Sequence, residues 1–422
     1  MTLEVKQRIE LIQRGEVPEG YKKTKVGIIP AEWETVRFKD KFDRLMRRNG
    51  EGNSNVLTIS AQHGLISQED FFNKEVAGED KSNYFLLYRG EYAYNKSYSN
   101  GYPFGAIKRL DRYDAGIVSP LYICFSDGKA NKCPEYYLQY FEGGKLNSEI
   151  HAFAQEGARN HGLLNISIED FFHSAIPDPP LPEQQRIAEI LSTQDKIIER
   201  LEKKVEQLQL MKKSYMQKMF PSPGSDEPEI RFPGFADAWE RRKLGDVFEE
   251  YSEKGHPELP ALTIIQGSGT IRRDESDRSL QYDKASLANY KVVKNGDFIV
   301  HLRSFEGGLE KATNLGIISP AYHTFHGEGT DSRFYYSYFR SPQFIDQDLK
   351  PHVYGIRDGR SIDIEGMKTI NIPWTSFAEQ KAIGDFIDTL DDLITLHQRK
   401  RDEEVRKKQA LMQLLLTGIV RI

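Results

Sequence analysis

The sequence predicts an α+β fold in which two duplicated mixed α/β domains are separated by two long antiparallel helices that form a coiled-coil spacer. Two observations predict it. Short motifs recur in the same order about 200 residues apart, and each copy ends in a long segment with apolar residues at helical spacing. The length of 422 residues accommodates roughly two or three domains.

The clearest repeated motif is GIVSPLY at 116–122, which returns as GIISPAY at 316–322. Its neighbours recur in the same order. The other pairs are AEWETVRF (31–38) with DAWERRKL (237–244), LTISAQHGLI (57–66) with LTIIQGSGTI (262–271), YFLLYRGEYAY (84–94) with YKVVKNGDFIV (290–300), KSYSNG (96–101) with RSFEGG (303–308), GARNHGLLNI (157–166) with GIRDGRSIDI (355–364), and EQQRIAEIL (183–191) with EQKAIGDFI (379–387). We therefore predict an internal duplication in which Ile117 and Ile317 are buried in one equivalent core strand, kinked at its Ser-Pro.

Each repeat begins with short Val, Ile, Tyr and Phe runs broken by turn residues, which is typical of strands. A helix of roughly 38 residues, about 55 Å long, follows each. The apolar seam of the first helix is Ile187, Ile190, Ile197, Leu201, Val205, Leu208, Met211, Tyr215 and Met219. The seam of the second is Ile383, Phe386, Leu390, Ile394, Val405, Met412 and Leu415, interrupted around His397 and Arg401. These seams predict that the two helices pair with each other.

The domain boundaries follow from these patterns, since FPSPGSDEPEIRFPG at 220–234 breaks the first helix. The predicted order is an N-terminal segment (1–30), a first mixed domain (31–178), a first spacer helix (179–220), a linker (221–234), a second mixed domain (235–375) and a second spacer helix (376–422).

Composition sets limits on the class of protein. The net charge of −5 argues weakly against nucleic acid as a partner, although a basic surface can coexist with an acidic one. No apolar run is long enough to cross a bilayer and no signal-peptide core is present, so we expect a cytoplasmic protein with no membrane partner. Cys124 and Cys133 are too few for a disulfide framework or a zinc cluster, and we expect reduced, partly buried thiols.

The sequence offers two partial resemblances to catalytic motifs. DPPL at 178–181 approaches the Asp-Pro-Pro-aromatic motif of amino-methyltransferases, but Leu181 replaces the ring that stacks on a flipped base. IQGSG at 265–269 faintly resembles a glycine-rich nucleotide loop. A proline-rich lead into a helix and a turn between strands explain them better. No catalytic triad, metal cluster or P-loop pattern appears, so we predict no catalytic residue, no metal and no cofactor.

Duplicated domains at a fixed separation suit a partner with two sites at a fixed separation, and DNA is the obvious candidate. Reading DNA requires polar and basic side chains on loops or strands that approach the bases and phosphates. The predicted DNA-binding residues of the first repeat are Lys96, Ser97, Tyr98, Asn100, Lys108, Arg109, Gln155, Arg159, Asn160 and His161. Those of the second repeat are Arg303, Ser304, Arg357 and Arg360. Plain surface loops are the alternative explanation.

At this point the chain resembles the specificity (S) subunits of Type I restriction–modification systems, over nearly its whole length. The segments that carry the resemblance, together with the two helices, are GYKKTKVGIIPAEWE (20–34), YNKSYSNGYPFGAIKR (94–109), GIVSPLY (116–122), IPDPPLPEQQRIAEIL (176–191) and RFPGFADAWERRKLGDV (231–247).

The resemblance implies that each mixed domain is a target recognition domain for one half of a bipartite, asymmetric site in double-stranded DNA. It also implies two modification subunits that carry S-adenosylmethionine and methylate adenine, and restriction subunits that translocate and cleave DNA. Two alternatives stay open: a self-sufficient adenine DNA methyltransferase, and a coiled-coil scaffold with protein-binding domains.

Overall fold

The structure is a computed structural model, and it describes residues 2–60, 64–72, 80–97, 101–153, 155–156, 164–222, 224–275, 284–300, 308–354 and 361–422. The α-helices within these residues are α1 Leu3–Gln13, α2 Gln68–Phe72, α3 Pro134–Glu142, α4 Asn147–Phe153, α5 Ile168–His173, α6 Leu181–Lys218, α7 Leu244–Val247, α8 Ser332–Phe339, α9 Ile364–Lys368 and α10 Phe377–Leu415. The two long helices, α6 and α10, contain 38 and 39 residues, as the periodicity predicts.

The strands are short. In the first half they are β1 Tyr21–Thr24, β2 Gly27–Pro30, β3 Glu34–Arg37, β4 Phe42–Leu45, β5 Leu57–Ser60, β6 Gly64–Ser67, β7 Phe85–Tyr88, β8 Tyr92–Asn95, β9 Ala106–Arg109, β10 Ala115–Val118, β11 Ile123–Asp127, β12 Gln155–Glu156, β13 Leu164–Asn165 and β14 Ala175–Asp178. In the second half they are β15 Glu240–Lys243, β16 Glu249–Tyr251, β17 Leu262–Ile265, β18 Gly269–Arg272, β19 Lys291–Val293, β20 Phe298–Val300, β21 Glu310–Lys311, β22 Gly316–Ile318, β23 His323–His326, β24 Val353–Tyr354, β25 Ser361–Ile362 and β26 Asn371–Trp374.

The chain forms two compact units. Unit 1 consists of Met1–Arg200 together with Lys400–Ile422, and unit 2 consists of Leu201–Arg399. Each unit therefore contains one mixed domain, one part of α6 and one part of α10. Unit 1 draws on both ends of the sequence, whereas unit 2 is one continuous stretch.

The two units share one strand topology, which confirms the predicted duplication. Unit 1 contains a four-stranded antiparallel sheet in the order β4-β11-β8-β9, and unit 2 contains its equivalent, β16-β23-β20-β21. Four further antiparallel pairs of unit 1 each have an equivalent pair in unit 2. These are β5-β6 with β17-β18, β7-β10 with β19-β22, β3-β14 with β15-β26, and β12-β13 with β24-β25.

The recurring GI-x-SP motif forms β10 and β22. Ile117 and Ile317 are both fully buried, as predicted. The expected kink at the Ser-Pro is instead the end of the strand. A turn closes there, because the backbone N–H of the tyrosine three residues on donates to the serine carbonyl, at 3.0 Å from Tyr122 to Ser119 and 3.1 Å from Tyr322 to Ser319.

The two long helices run antiparallel within each unit. In unit 1 the start of α6 packs against the end of α10, since Ile187 and Leu191 share one buried cluster with Met412 and Leu415. In unit 2 the end of α6 packs against the start of α10, since the rings of Tyr215 and Phe386 lie 5.0 Å apart. The predicted pairing of the helices is confirmed.

One member of the predicted seam was wrong. Met211 is 38% exposed, and its neighbour Lys212 faces α10, where its ammonium pairs with Asp391 at 2.6 Å. Where the seam of α10 loses its apolar residues, polar contacts join the helices. Within unit 1, the carboxamide of Gln194 donates to the backbone carbonyl of Glu404 at 3.2 Å, and one turn further along α10 Lys408 pairs with Asp195 at 2.5 Å.

Each long helix has a buried glutamate in its first turn, and the two glutamates have the same kinds of partner. In unit 1, Glu183 accepts hydrogen bonds from the indole of Trp33 at 2.8 Å and from the guanidinium of Arg421 at 2.6 Å. In unit 2, Glu379 accepts from Trp239 at 3.1 Å and from Arg231 at 2.6 Å. We call each set of three residues a helix-start clamp.

Candidate nucleic-acid interface

The structure brings together two segments of unit 1 from which DNA-binding residues were predicted. Lys96 and Ser97 directly follow β8, a central strand of the sheet. Strands β12 and β13 pair antiparallel, with Glu156 opposite Leu164, and these two residues border residues 157–163 in sequence. The backbone N–H of Leu164 in β13 donates to the carbonyl of Lys96 at 3.0 Å. Lys96 and Leu164, which border the two predicted loops in sequence, therefore meet at one end of the sheet.

Lys96 is half-buried, and burial lowers the pKa of its ammonium below the ordinary value. Among the residues that the structure describes, no carboxylate pairs with this ammonium. The backbone N–H of Ser97 donates to the side-chain oxygen of Asn95 at 3.1 Å, which turns the chain as it leaves β8. A half-buried lysine with no counter-ion among the described residues is suited to an external anion such as a phosphate.

The structure places Lys108 and Arg109 differently. Lys108 is buried, and its ammonium lies 2.7 Å from the carboxylate of Glu142. Burial lowers the pKa of Lys108, but the charge and hydrogen bonds of Glu142 outweigh burial and hold it above its ordinary value. Arg109 pairs with Asp111 at 2.8 Å and with Glu135 at 3.0 Å. Both positive charges are thus compensated within unit 1.

The other predicted residues cannot be placed in the same way. The backbone of Gln155 lies in β12, paired with Asn165. The residues that lie outside the described part of the chain are Tyr98, Asn100, Arg159, Asn160, His161, Arg303, Ser304, Arg357 and Arg360.

Unit 2 frames its predicted loops with the same elements. Strand β20, the equivalent of β8, ends at Val300 directly before residues 301–307. The pair β24-β25 joins Val353 to Ile362 and Tyr354 to Ser361, so it brackets residues 355–360. The framework that carries both loops is therefore common to the two units, while the loop sequences differ.

The Asp-Pro-Pro segment is closed by the protein's own side chains. The carboxamide of Gln184 donates to the carboxylate of Asp178 at 2.8 Å and to the carbonyl of Pro179 at 2.7 Å. Lys41 pairs with the second carboxylate oxygen of Asp178 at 2.8 Å. In amino-methyltransferases the equivalent acceptors hold the target amine, so the position that this amine would need is filled by Gln184. The segment leads into α6, as its proline content suggests.

The glycine-rich turn is closed in a similar way. The backbone N–H groups of Gly267 and Gly269 both donate to the buried carboxylate of Glu310, at 2.8 and 3.1 Å. A glycine-rich nucleotide loop needs such amides free to receive phosphate oxygens. This turn joins β17 to β18, which favours the structural interpretation.

Sequence reasoning missed Glu142 and Glu310, the acidic residues that decide the surroundings of Lys108 and of the glycine-rich turn. Their partners are distant in sequence, so local patterns carry no signal for them. Comparison of the repeats does carry one, because GluGlyGly at 142–144 aligns with ArgSerPro at 340–342. A residue that changes sign between repeats indicates a partner that changes sign with it.

Two features bear on other classes of site. Within the described ranges, no group of three or more His, Cys, Asp or Glu side chains is arranged to hold a metal ion. In the same part of the chain, no helix is both long and apolar enough to span a membrane.

The fold defines a class of protein in which two homologous mixed α/β units share a pair of long antiparallel helices. The family model for the Type I restriction modification DNA specificity domain matches residues 30–210. The chain is therefore similar to the specificity subunits of Type I restriction–modification systems, with a matching specificity domain over residues 30–210.

Two curated relatives come from Methanocaldococcus jannaschii. The type I restriction enzyme MjaX specificity subunit is 24% identical over 431 residues, which cover 96% of this chain and 97% of the relative. The type I restriction enzyme MjaVIII specificity subunit is 28% identical over 291 residues, which cover 64% of this chain and 68% of the relative. The first similarity thus extends across both units.

Two solved structures share the fold. A chain of a type I restriction–modification system, solved in work on complex assembly and conformational transition, has a TM-score of 0.54 at 16% identity, covering 93% of this chain and 99% of that one. The S subunit of a type I system from M. genitalium has a TM-score of 0.52 at 14% identity, covering 91% and 96%. At these identities the likeness concerns the fold.

Proposed function

We propose that this chain is the DNA sequence-specificity subunit of a Type I restriction–modification complex. Its recognition domains are residues 31–178 and 235–375, and each binds one half of a bipartite, asymmetric site in double-stranded DNA. Two modification subunits supply the adenine methyl transfer, and restriction subunits supply the cleavage. The chain directs these reactions and performs neither.

One observation carries the proposal: the backbone hydrogen bond between Leu164 and Lys96. It supports a single recognition edge formed by residues 96–101 and 157–163, although the two loops are distant in sequence. Lys96, Ser97, Tyr98, Asn100 and Gln155 belong to this edge with Arg159, Asn160 and His161. The equivalent edge of unit 2 contains Arg303, Ser304, Arg357 and Arg360.

The two edges differ in side chains on a common framework. GARNHG at 157–162 contrasts with GIRDGR at 355–360. Because base-contacting side chains specify sequence whereas the framework positions them, different side chains on one framework suit two different half-sites. The specific residues proposed here include Arg159 and Arg357, each of which follows a glycine by two residues.

The test is an exchange of one domain. Residues 31–175 are replaced by the equivalent segment of another family member, and the variant is assembled with its modification subunits. Sequencing of the methylated sites should show a change in one half of the motif only. Exchange of residues 237–371 is the matched experiment and should change the other half. If either exchange changed both halves or neither, the modular proposal would be wrong.

Two measurements separate this proposal from its rivals. A self-sufficient methyltransferase must bind S-adenosylmethionine, so calorimetric titration of the isolated chain with this compound should give no heat of binding. A protein-binding scaffold has no preference among DNA sequences, so the assembled complex should bind its methylated motif more tightly than shuffled DNA of the same length and salt.

A further inference from the structure

A buried ion pair joins the sheet of unit 1 to helix α3. Lys108 lies in the edge strand β9, opposite Ala93 of β8, and Glu142 is the last residue of α3. Their charged groups are 2.7 Å apart, and the side chains are 7% and 26% exposed. The hydroxyl of Tyr102 accepts a hydrogen bond from the same ammonium at 3.1 Å. Lys108 on the strand is thus buried, and Glu142 on the helix contacts it from a partly exposed position.

Unit 2 contains a pair at the same place with the charges exchanged. Glu310 lies in β21, opposite Ile299 of β20, and Arg340 directly follows α8. Their charged groups are 3.4 Å apart, and the side chains are 5% exposed for Glu310 and 25% for Arg340. A tyrosine is again involved, since the hydroxyl of Tyr336 donates to Glu310 at 2.5 Å.

The positions are equivalent by register as well as by topology. Ala93 and Ile299 occupy the same place in YFLLYRGEYAY and YKVVKNGDFIV, so their cross-strand partners Lys108 and Glu310 correspond. Glu142 and Arg340 both come directly after a Tyr-Phe pair near the end of the helix. In unit 1 the strand residue is positive and the helix residue negative. In unit 2 the strand residue is negative and the residue after the helix is positive.

The apolar part of this interface does not distinguish the two helices. Helix α3 buries Tyr137 and Phe141 against its sheet, and α8 buries Tyr335 and Phe339 at the equivalent places. A sheet of either unit would thus accept the aromatic face of either helix. The polar contacts do distinguish the helices. At this ion pair, α8 on the first sheet would bring Arg340 to Lys108, and α3 on the second sheet would bring Glu142 to Glu310.

We propose that the reversed ion pairs Lys108–Glu142 and Glu310–Arg340 make each sheet select its own helix and so prevent exchange of α3 and α8 between the duplicated repeats, within one chain or between two copies. Like charges placed together in a buried interface are strongly unfavourable, whereas each native pairing is complementary. This selection concerns assembly of the fold and is independent of DNA recognition.

The test compares a variant that loses the ion pair of unit 1 with a variant that keeps the pair but loses the difference in polarity between the two units. In the variant Lys108→Glu with Glu142→Arg, unit 1 keeps a complementary pair, but its polarity now equals that of unit 2. In the variant Lys108→Met with Glu142→Gln, unit 1 loses its pair, but exchange still leaves Arg340 or Glu310 without a partner. Each full-length protein is unfolded in denaturant and refolded, and native monomer is separated from misassembled and dimeric species by size-exclusion chromatography.

The reversed variant should show a roughly tenfold rise in the ratio of misassembled to native protein, which corresponds to about 1.4 kcal/mol of lost discrimination. The neutral variant, Lys108→Met with Glu142→Gln, should have a lower free energy of unfolding. Its ratio of misassembled to native protein after refolding should equal that of the wild type. Equal ratios in the reversed variant and wild type would overturn the proposal. An equally large rise of this ratio in the neutral variant would also overturn the proposal, since loss of the ion pair alone would then be sufficient to cause misassembly.

A second variant keeps the test decisive if the reversed unit 1 does not fold. Arg340→Glu with Glu310→Lys gives unit 2 the polarity of unit 1 and should raise the misassembled fraction in the same way. Native-like circular dichroism of its monomer fraction shows that unit 2 tolerates the change. Normal refolding of such a monomer would contradict the proposal.

Discussion

Glu183 and Glu379 lie at the same position of the two long helices, and each carboxylate accepts hydrogen bonds from one tryptophan indole and one arginine guanidinium. The two arginines come from different parts of the chain. Arg231 precedes its glutamate in the linker, whereas Arg421 is the residue before the last. A buried carboxylate is stable only with such partners, so the C-terminal residues are part of the core of unit 1.

The helix-start clamp gives a prediction for stability. Arg421→Ala removes the charged partner of a buried carboxylate and should lower the free energy of unfolding by about 1–3 kcal/mol. Arg231→Ala should have at least as large an effect, because Glu379 is more deeply buried than Glu183. The measurement is urea unfolding followed by circular dichroism.

The matched control for the clamp is Arg186→Ala. Arg186 pairs with Glu189 on the exposed face of α6, and exposed pairs contribute about 0–1 kcal/mol. Equal destabilisation by Arg186→Ala and Arg421→Ala would show that the clamp adds nothing beyond a surface pair.

A second prediction concerns DNA recognition. In the assembled complex, Arg159→Ala should weaken binding by about 1–3 kcal/mol and relax one position of the motif if the guanidinium contacts a base, or weaken all sequences alike if it contacts a phosphate. The measurements are DNA affinity at fixed salt and the sequence of methylated sites. Arg357→Ala should act on the other half-site.

Arg89→Ala is the control for these two variants. Arg89 is exposed and pairs with Asp114. It precedes β8, whereas Lys96 follows it, so it lies at the end of the strand away from the proposed edge. Wild-type affinity and methylation in Arg159→Ala would remove Arg159 from the interface.

A third prediction concerns the helix pair, which the sequence predicts to set the spacing between half-sites. Four residues inserted after Gln207 and four after Thr395 lengthen both helices by about 6 Å. B-DNA carries two phosphates per about 3.4 Å of axis, one base pair, so the unread spacer of the methylated motif should grow by one or two base pairs. The half-sites themselves should stay unchanged.

A variant with four residues inserted after Gln207 in α6 only is the comparison for the double insertion. Val205 and Leu208 share one buried cluster with Ile394, and four added residues between them move one of the two along α6. Four residues nearly preserve the helical face, so this variant should fold with lower stability. An active double insertion that kept the original spacer would show that the helices do not set it.

A fourth prediction follows from the thiols. Cys124 and Cys133 are buried and free. Burial raises the pKa of Cys124 to about 12 and raises that of Cys133 above its ordinary value. The thiolate is the reactive form, and burial both suppresses it and blocks access, so at pH 8 neither residue should react with a disulfide reagent until the protein unfolds. Rapid labelling of two thiols in the folded protein would contradict this.

The repeat and the helix pairing could be predicted from sequence because both leave periodic or repeated signals. Ile117 and Ile317 recur in one motif, and the seam from Ile187 onward follows the turn of a helix. Met211 fits the same spacing, but its exposure depends on how α6 is rotated against α10, and the pairing of Lys212 with Asp391 accompanies that rotation. Spacing within one helix contains no information about its partner.

The candidate site was harder to predict for the same reason. Lys108 looks like a loop cation beside glycines, and only the distant Glu142 shows that its charge is compensated. Gln184 lies six residues from Asp178, yet its role in closing the Asp-Pro-Pro segment depends on the start of α6. Local chemistry identifies which groups can bind a ligand, whereas long-range packing decides which of them are already occupied.

The division of the chain has a consequence for its synthesis. Unit 2 ends at Arg399, so all its residues have been translated while the last part of α10 is still to come. Residues 2–200 of unit 1 precede unit 2 in the chain, but the buried cluster of unit 1 needs Met412, Leu415 and Leu416, and its helix-start clamp needs Arg421. The first part of unit 1 therefore stays incompletely packed until residues 400–421 have been translated, so unit 2, although it follows in sequence, is the first to have all its residues.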